Sequence, residues 1–291
     1  MDETDFLATR FEQHRGHLRA VAYRMLGSLA EADDAVQEAW LRLSRTDSSE
    51  IENLGGWLTT VVGRVCLNML RSRQQRREEP LDPYVPDPVV ERPDDVDPEH
   101  EAVLADSVGL ALLVVLETLS PAERLAFVLH DLFAMPFDEI APIIGRTEVA
   151  TRKLASRARR RVQGTAPEPE GDLARRREIV DAFLAAARGG DLDALVAVLD
   201  PDVVVRTDGG RLRPSVVLRG PQEVARGATA FARIAEHTVP ALVNGEPGAV
   251  AMADGKPISV AAFTVVGDRI VALDVLADPE RIARLDLSAL R

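Results

Sequence analysis

Seven basic residues lie between Arg146 and Arg161 against one acid, Glu148, a local charge of +6. Arg152, Lys153, Ser156, Arg157, Arg159 and Arg160 share one face at helical spacing, with Ala150, Leu154, Ala158 and Val162 on the other. Such cations neutralise phosphates, and arginine also reaches guanine edges. Just upstream the spacing predicts a short helix from Asp138 to Ile144 that stops at Gly145, with Thr147 placed to cap the basic helix. Two short helices around a glycine turn, the second basic, form a helix-turn-helix pattern. A basic helix face alone is usually just solvated; the turn, the cap and the charge together favour DNA.

A second basic run covers Arg64 to Arg77, with Arg64, Arg71, Arg73, Arg76 and Arg77 and no acid, a charge of +5. Arginine at a helix C-terminus also suits the macrodipole, so part of this basicity has a structural use. Between the two runs, Glu78–Asp106 holds eleven acids and one arginine, a charge of −10. The net charge of −12 therefore hides two cationic patches, and local fields steer ligands.

These patches need elements to carry them. At roughly 150 residues per domain, 291 residues predict two or three domains. Residues 1–77 read as helical. Ala35, Val36, Ala39, Trp40 and Leu43 mark one stripe, with Asp33 or Asp34 as its cap. Asn53-Leu54-Gly55-Gly56 reads as a break before a helix opened by Trp57, whose stripe is Leu58, Val61, Val62, Val65 and Leu70. Residues 78–101 carry six prolines among the acids, which predicts a linker without helix or strand. Residues 102–163 are helical again, and Ser120-Pro121-Ala122-Glu123 spells a capping box. A short linker, 164–171, leads to 172–291.

That last segment predicts amphipathic helices through Leu173–Ala187 and Leu192–Leu199, a strand at Val203–Val205, and a helix over Pro221–Ala235. A hairpin follows, turning at Gly267-Asp268. Helices followed by a curved antiparallel sheet predict an α+β cone or half-barrel with room for a ligand. His237, Asp208, Asp254 and Asp274 are its candidate polar groups. Asp254 beside Gly255 reads as a turn residue, His237 reads as structural, and no spacing makes a catalytic dyad. A lone cysteine, Cys66, excludes a disulfide framework or a multi-cysteine metal site and fits a reducing compartment. No apolar run approaches a membrane span, and the acidic start is no signal peptide. A cytoplasmic protein without metal, cofactor or membrane association is expected.

At this point particular residues resemble a known family. Asp33–Leu43 (DDAVQEAWLRL) resembles the polymerase-binding helix of bacterial sigma factors, and Gly55–Glu78 resembles the region after it that meets the −10 element. Leu119–Val162, ending in RARRRV, is similar to the −35-reading helix-turn-helix of extracytoplasmic-function sigma factors. Residues 172–291 resemble a SnoaL-like cone domain, which a SigJ-like subgroup carries at its C-terminus. The subgroup's linker and C-terminal motifs have degenerate counterparts here in Tyr84–Pro88 (YVPDP), Asp208–Arg211 (DGGR) and Asp278–Ile282 (DPERI), while its acidic position before the LRS motif is Asn68.

The resemblance implies a multidomain fold: two all-α domains, 1–77 and 102–163, and an α+β cone over 172–291. It implies core RNA polymerase and promoter DNA as partners, with a small molecule in the C-terminal domain as a further candidate. The DNA-facing set is then Arg146, Thr151, Arg152, Lys153, Ser156, Arg157 and Arg160, joined by Arg64, Arg71, Arg73 and Arg76. Trp57 has the ring to stack on a base, although tryptophan at such a position is more often core. Asp34, Gln37, Glu38 and Leu41 form the polymerase-facing set. Tyr84, Pro86, Asp208, Gly209, Gly210, Arg211, Asp278, Pro279, Glu280 and Arg281 form the regulatory contact set. Residues 78–106 span at most ~95 Å at ~3.3 Å each. Promoter elements one to two helical turns apart require about 34–70 Å, so both patches can reach one duplex. Two other functions stay open: a DNA-tethered isomerase or hydrolase, and a ligand-sensing regulator that does not engage polymerase.

Overall fold

The computed structural model describes residues 3–46, 51–75, 84–92, 109–165, 172–211, 214–235 and 237–290. They divide into two compact units. The first holds the described residues of 3–75 and 115–165; the second holds 84–92, 109–114 and 172–290.

The first unit opens with α1 (Glu3–Leu26), α2 (Leu29–Leu43) and α3 (Leu54–Gln75). Ser28, in extended conformation, is the N-cap of α2, so Asp33 and Asp34 lie inside the helix and do not cap it. Helix α3 starts at Leu54, three residues before Trp57. The Asn53 carboxamide oxygen accepts from the Gly56 N–H at 3.1 Å, so the expected break is a capped first turn. The stripes expected from the sequence form the core, with Ala35, Val36, Ala39, Leu58 and Val62 all buried. Cys66 lies in the same core, and burial pushes its thiol up to about 12, which leaves it chemically quiet.

The second helical segment supplies α4 (Leu110–Glu117), α5 (Pro121–Phe127), α6 (Phe137–Ile144) and α7 (Glu148–Thr165). The capping box is complete: the Ser120 hydroxyl accepts from the Glu123 N–H, and the Glu123 carboxylate accepts from the Ser120 N–H. Helix α5 runs on through a π-turn, Val128–Leu132, which no spacing rule anticipates. Gly145 at φ 74° closes α6, a left-handed cap suited to glycine. Apart from 109–114, the two helical segments, expected as separate domains, belong to one unit. Helix α3 packs against α5 and α6, and Gly63 faces Leu125, Leu129 and Ile143. Arg124, 2% exposed, pairs with Glu117 at 2.8 Å and donates to the Arg24 carbonyl at 3.2 Å.

The second unit contains α8 (Leu173–Gly189), α9 (Leu192–Val198), β2 (Leu199–Asp208), β3 (Val216–Arg219) and α10 (Pro221–Ala232). Then come β4 (His237–Val243), β5 (Glu246–Ala253), β6 (Lys256–Val266), β7 (Arg269–Leu276) and α11 (Pro279–Ile282). Asp172 and Asp191 cap α8 and α9 by accepting from the N–H groups of Arg175 and Ala194. With β1 at Val90–Glu91, the sheet runs β1-β4-β5-β6-β7-β2-β3, with β2 and β7 parallel and every other pair antiparallel. Its edge strand, β1 (Val90–Glu91), comes from the proline-rich segment. Val90 pairs with Val243, and Val89 and Asn244 exchange hydrogen bonds at 2.8 and 3.1 Å. The composition of 78–101 disfavours a strand, but Val89 and Val90 fall between its prolines and supply two free N–H groups. Helices α8, α9 and α10 cover one face of the sheet, with Phe183 edge-on to Phe263 at 5.4 Å.

Candidate nucleic-acid interface and associated surfaces

On α7 the buried side holds Thr151, Ala155 and Ala158. Arg146, Arg152, Lys153, Ser156, Arg157 and Arg160 are exposed. Thr151 departs from the DNA-facing expectation: it is 0% exposed, and its hydroxyl donates to the Thr147 carbonyl at 3.1 Å. One residue of register, about 100° around the helix, separates its face from that of Arg152. Several arginines of this helix have intramolecular partners. Arg157 pairs with Glu123 at 3.0 Å, Arg152 pairs with Glu148 and lies 5.4 Å from the Phe137 ring, and the Arg159 Nε donates to Asp131 at 2.7 Å. Burial acts to raise the Glu123 carboxyl, but hydrogen bonds from Ser120 and Arg157 outweigh it and hold the group below its ordinary value. Val149, 66% exposed on the first turn of α7, was not singled out by the charge pattern.

The arginines of α3 divide. Arg64 and Arg71 are exposed, and Arg71 reaches the Ile144 carbonyl at 3.5 Å. Arg73 is half-buried, ion-paired to Glu31 and 3.4 Å from the Leu26 carbonyl, so it ties α3 to its neighbours. Arg76 lies outside the described residues. Trp57 is half-buried at the start of α3. On α2, Asp34, Gln37 and Leu41 are exposed and Glu38 is half-buried, paired with Arg42 at 2.8 Å. These four positions follow i, i+3, i+4, i+7 spacing and so share one face, on which Leu41 is an exposed apolar side chain at 39%.

In the second unit the DGGR and DPER sequences meet the YVPDP sequence. Arg281 donates to Asp208 at 2.7 Å, to Asp87 at 2.8 and 2.5 Å, and to the Val85 carbonyl at 2.6 Å. Its guanidinium sits 4.7 Å from the Tyr84 ring centroid. Asp208 also accepts from the N–H groups of Val85 at 3.0 Å and Gly210 at 3.0 Å. Gly210, at φ 66°, lies where a Cβ would come within 2.2 Å of the Asp278 carboxylate, so only glycine fits. Asp278 caps α11 by accepting from the Glu280 N–H at 2.9 Å. Pro86 and Gly209 are buried, whereas Arg211, Pro279 and Glu280 are exposed. Asp87, bonded twice by Arg281, was not singled out in the sequence although it stands inside the quoted YVPDP.

The concave side of the same sheet bounds a cavity of about 310 Å³. Strand alternation places Ser259, Ala261 and Phe263 of β6 on that side together with Leu273 and Val275 of β7. Asp274, between the last two, therefore points away. It is 1% exposed and takes a 2.9 Å bond from Arg206, and burial pushes its carboxyl up despite that cation. Asp254 sits at φ 49° in the β5–β6 turn, Asp208 is held by Arg281, and His237 is exposed at the cavity's edge. The four candidate polar groups do not converge. Among the described residues no cluster of His, Cys, Asp and Glu could hold a metal ion, and no helix is long and apolar enough to cross a membrane.

Comparison with known proteins identifies the family of the helical segments and of the chain. Residues 10–77 match the Sigma-70 region 2 family, and residues 109–162 match Sigma-70, region 4. The chain is 40% identical over 288 residues to ECF RNA polymerase sigma factor SigJ of Mycobacterium tuberculosis (strain ATCC 25618 / H37Rv), covering 94% of this chain and 92% of that protein. It is 36% identical over 286 residues to probable ECF RNA polymerase sigma factor SigI of the same strain, covering 97% of each. The crystal structure of M. tuberculosis SigJ is similar with a TM-score of 0.79 at 38% identity, over 96% of this chain and 99% of that one.

Proposed function

The chain belongs to the extracytoplasmic-function RNA polymerase sigma factors, so it binds core RNA polymerase and directs promoter-specific initiation; within that role we propose which surfaces do the work and how they are restrained. Helix α7 reads the −35 element through Arg146, Arg152, Lys153, Ser156, Arg157 and Arg160. Arg64 and Arg71 of α3, with Arg76, follow the backbone at the −10 element. Asp34, Gln37, Glu38 and Leu41 of α2 meet polymerase. The exposed face of α7 opposite buried Thr151, Ala155 and Ala158 is the observation that carries the DNA assignment.

The SnoaL-like second unit regulates in cis. Arg281 and Asp208 hold the 84–92 segment, which connects the two helical segments in the chain. Control of that segment is control over how far the two DNA-reading regions can separate. The short link between Thr165 and Asp172 keeps the regulatory unit at high effective concentration near the helical segments. The relatives indicate a non-enzymatic initiation factor, and this reading places it in the cytoplasm with polymerase and chromosome.

The test is run-off transcription from a cognate promoter with core polymerase, comparing the full chain, a chain lacking 172–291 and one lacking the tail from Asp278. Unequal outputs from the three support regulation in cis; equal outputs from all three refute it. No promoter-dependent transcript with any of them refutes the assignment of the DNA and polymerase surfaces.

A further inference from the structure

The cavity of the second unit is bounded mostly by alanines and larger apolar side chains, and among the described residues its lining contains no Asp or Glu. Ala249, Ala251 and Ala261 leave space on the sheet side, where larger residues would fill it. At about 310 Å³ the volume falls at the lower end of ligand pockets, which run from ~300 Å³ upward. It suits a compact body on the order of ten to twenty non-hydrogen atoms.

The polar groups are few and unevenly placed. Ser259 lines the cavity, is 2% exposed, and among the described residues its hydroxyl makes no hydrogen bond. That hydroxyl faces the cavity and is placed to bond a ligand oxygen. The two residues able to carry positive charge, Arg188 and His237, line the cavity but are exposed, which sets them at its mouth. Arg188 forms no ion pair or hydrogen bond among the described residues, unlike Arg175 and Arg176 earlier on the same helix. Phe231 and Val216, also in the lining, are exposed at 37% and 40% and extend the apolar wall outward.

An apolar interior, Arg188 at the mouth, and no acid among the described residues of the wall point to one ligand class. We propose that this cavity binds a small amphipathic monocarboxylate, its hydrocarbon body enclosed against β5 and β6 and its carboxylate at Arg188. Arg188 supplies a planar two-donor fork for the head group. Ser259 supplies one hydrogen bond to an oxygen on the body where the ligand carries one. Among the described residues the imidazole of His237 stands at the mouth and no other general acid or base lies beside the enclosed body, so the site binds and releases its ligand unchanged.

The test uses the full chain and a neutral hydrophobic fluorophore, N-phenyl-1-naphthylamine, displaced by decanoate, decan-1-ol or decyltrimethylammonium. Displacement by decanoate at concentrations tenfold or more below decan-1-ol, with the ammonium weakest, is expected. Arg188→Gln should bring decanoate to the level of decan-1-ol and leave decan-1-ol unchanged. Ala251→Leu and, separately, Ala249→Leu should each reduce fluorophore binding at least tenfold while the chain melts at or above the wild-type temperature. Ile234→Ser, at an apolar side chain 66% exposed and outside the lining, should change nothing. The proposal is overturned if fluorophore binding survives both leucine variants, if Ile234→Ser removes it, if decanoate shows no preference over decan-1-ol, or if Arg188→Gln leaves that preference intact. None of these readouts involves promoter or polymerase, so the outcome is separate from that of the transcription assay.

Discussion

Arg281 and Asp208, 73 positions apart, lie 2.7 Å from each other, and both reach past their own contact to the same backbone unit, Val85. Asp208 takes the Val85 N–H, and Arg281 donates to the Val85 carbonyl. A chain segment whose composition argues for a solvated tether is thus gripped at both polar groups of one peptide residue. The grip is mostly buried: the side chains of Arg281, Asp87 and Asp208 are 17%, 12% and 8% exposed.

Removing one partner of a buried, hydrogen-bonded ion pair costs about 3–5 kcal/mol, because the groups left behind lose their compensation. Arg281→Ala takes the guanidinium away from two carboxylates and a carbonyl. Urea denaturation of the full chain should show the second unit destabilised by about that amount, and limited proteolysis should cut within 84–92 faster. Unchanged cleavage there would mean that the segment is held by β1 alone.

Arg157 is exposed on α7 yet ion-paired to Glu123, so DNA has to compete for it. Arg157→Ala should weaken promoter binding by ~1–3 kcal/mol more than binding to random duplex, as a base contact would. Equal losses on both duplexes mark a phosphate contact, and no loss removes Arg157 from the interface. Gel-shift titrations at a single fixed salt concentration measure the difference.

Local signals carried much of this architecture. The Ser120 capping box, the Gly145 stop and the Gly267-Asp268 turn each depend on residues within a few positions, and each stands in the structure where the sequence put it. Other choices, local and long-range, were not legible. Asn53 turned an apparent break into a helix start by accepting a bond from Gly56. Thr151 looked polar and available, but the helix's rotation carried it into the core. Pairing of Val90 with Val243 spans residues whose composition alone describes a linker. Buried Arg124 gave no sequence signal at all, since its place depends on Glu117 and the Arg24 carbonyl meeting it in space.

On α2 the proposed polymerase face is separable from the core, because Asp34, Gln37 and Leu41 are solvent-facing while Ala35, Val36 and Ala39 are not. Gln37→Ala combined with Glu38→Arg should leave the melting temperature within a few degrees of wild type, as surface changes usually do. Co-purification with core polymerase should drop at least tenfold. Normal co-purification would move the contact to another face of the first unit.

Asp274 gives the second unit a pH dependence of definite sign. Burial raises its folded-state value above the ordinary 3.8, in spite of Arg206. A group raised on folding favours the native state below its unfolded value, and that contribution is lost as pH rises through the folded value. Stability should therefore decline as pH climbs from about 3.8 upward through the Asp274 titration. Asp274→Asn keeps an acceptor for Arg206 and removes the titration, so the slope from this site should vanish. Urea midpoints measured across pH for both chains give the comparison; parallel curves would assign the dependence to other groups, such as Glu246, whose carboxyl burial also raises.

Gly63 tests the packing between the two helical segments. A Cβ at this position would rest 3.5–3.7 Å from Leu125, Leu129 and Ile143, ordinary van der Waals contact. Gly63→Ala should thus fit, and with the entropy of a mid-helix glycine removed it should stabilise the chain by about 0.5–1 kcal/mol. Gly63→Leu has no room for its branched end against those three side chains, and overpacking of this kind costs ~1–3 kcal/mol. The cost can be relieved by moving α3 away from α5 and α6. On the proposed assignment, reaching promoter elements about 34–70 Å apart would draw the same surfaces apart. The leucine variant should therefore melt lower than the alanine variant yet bind a two-element promoter duplex at least as tightly as wild type. Fluorescence energy transfer between dyes on the exposed positions Asn68 and Ser156 should fall for leucine and hold for alanine. If the leucine variant instead loses stability and promoter affinity together with unchanged transfer, the packing of α3 on α5 and α6 is retained when DNA binds.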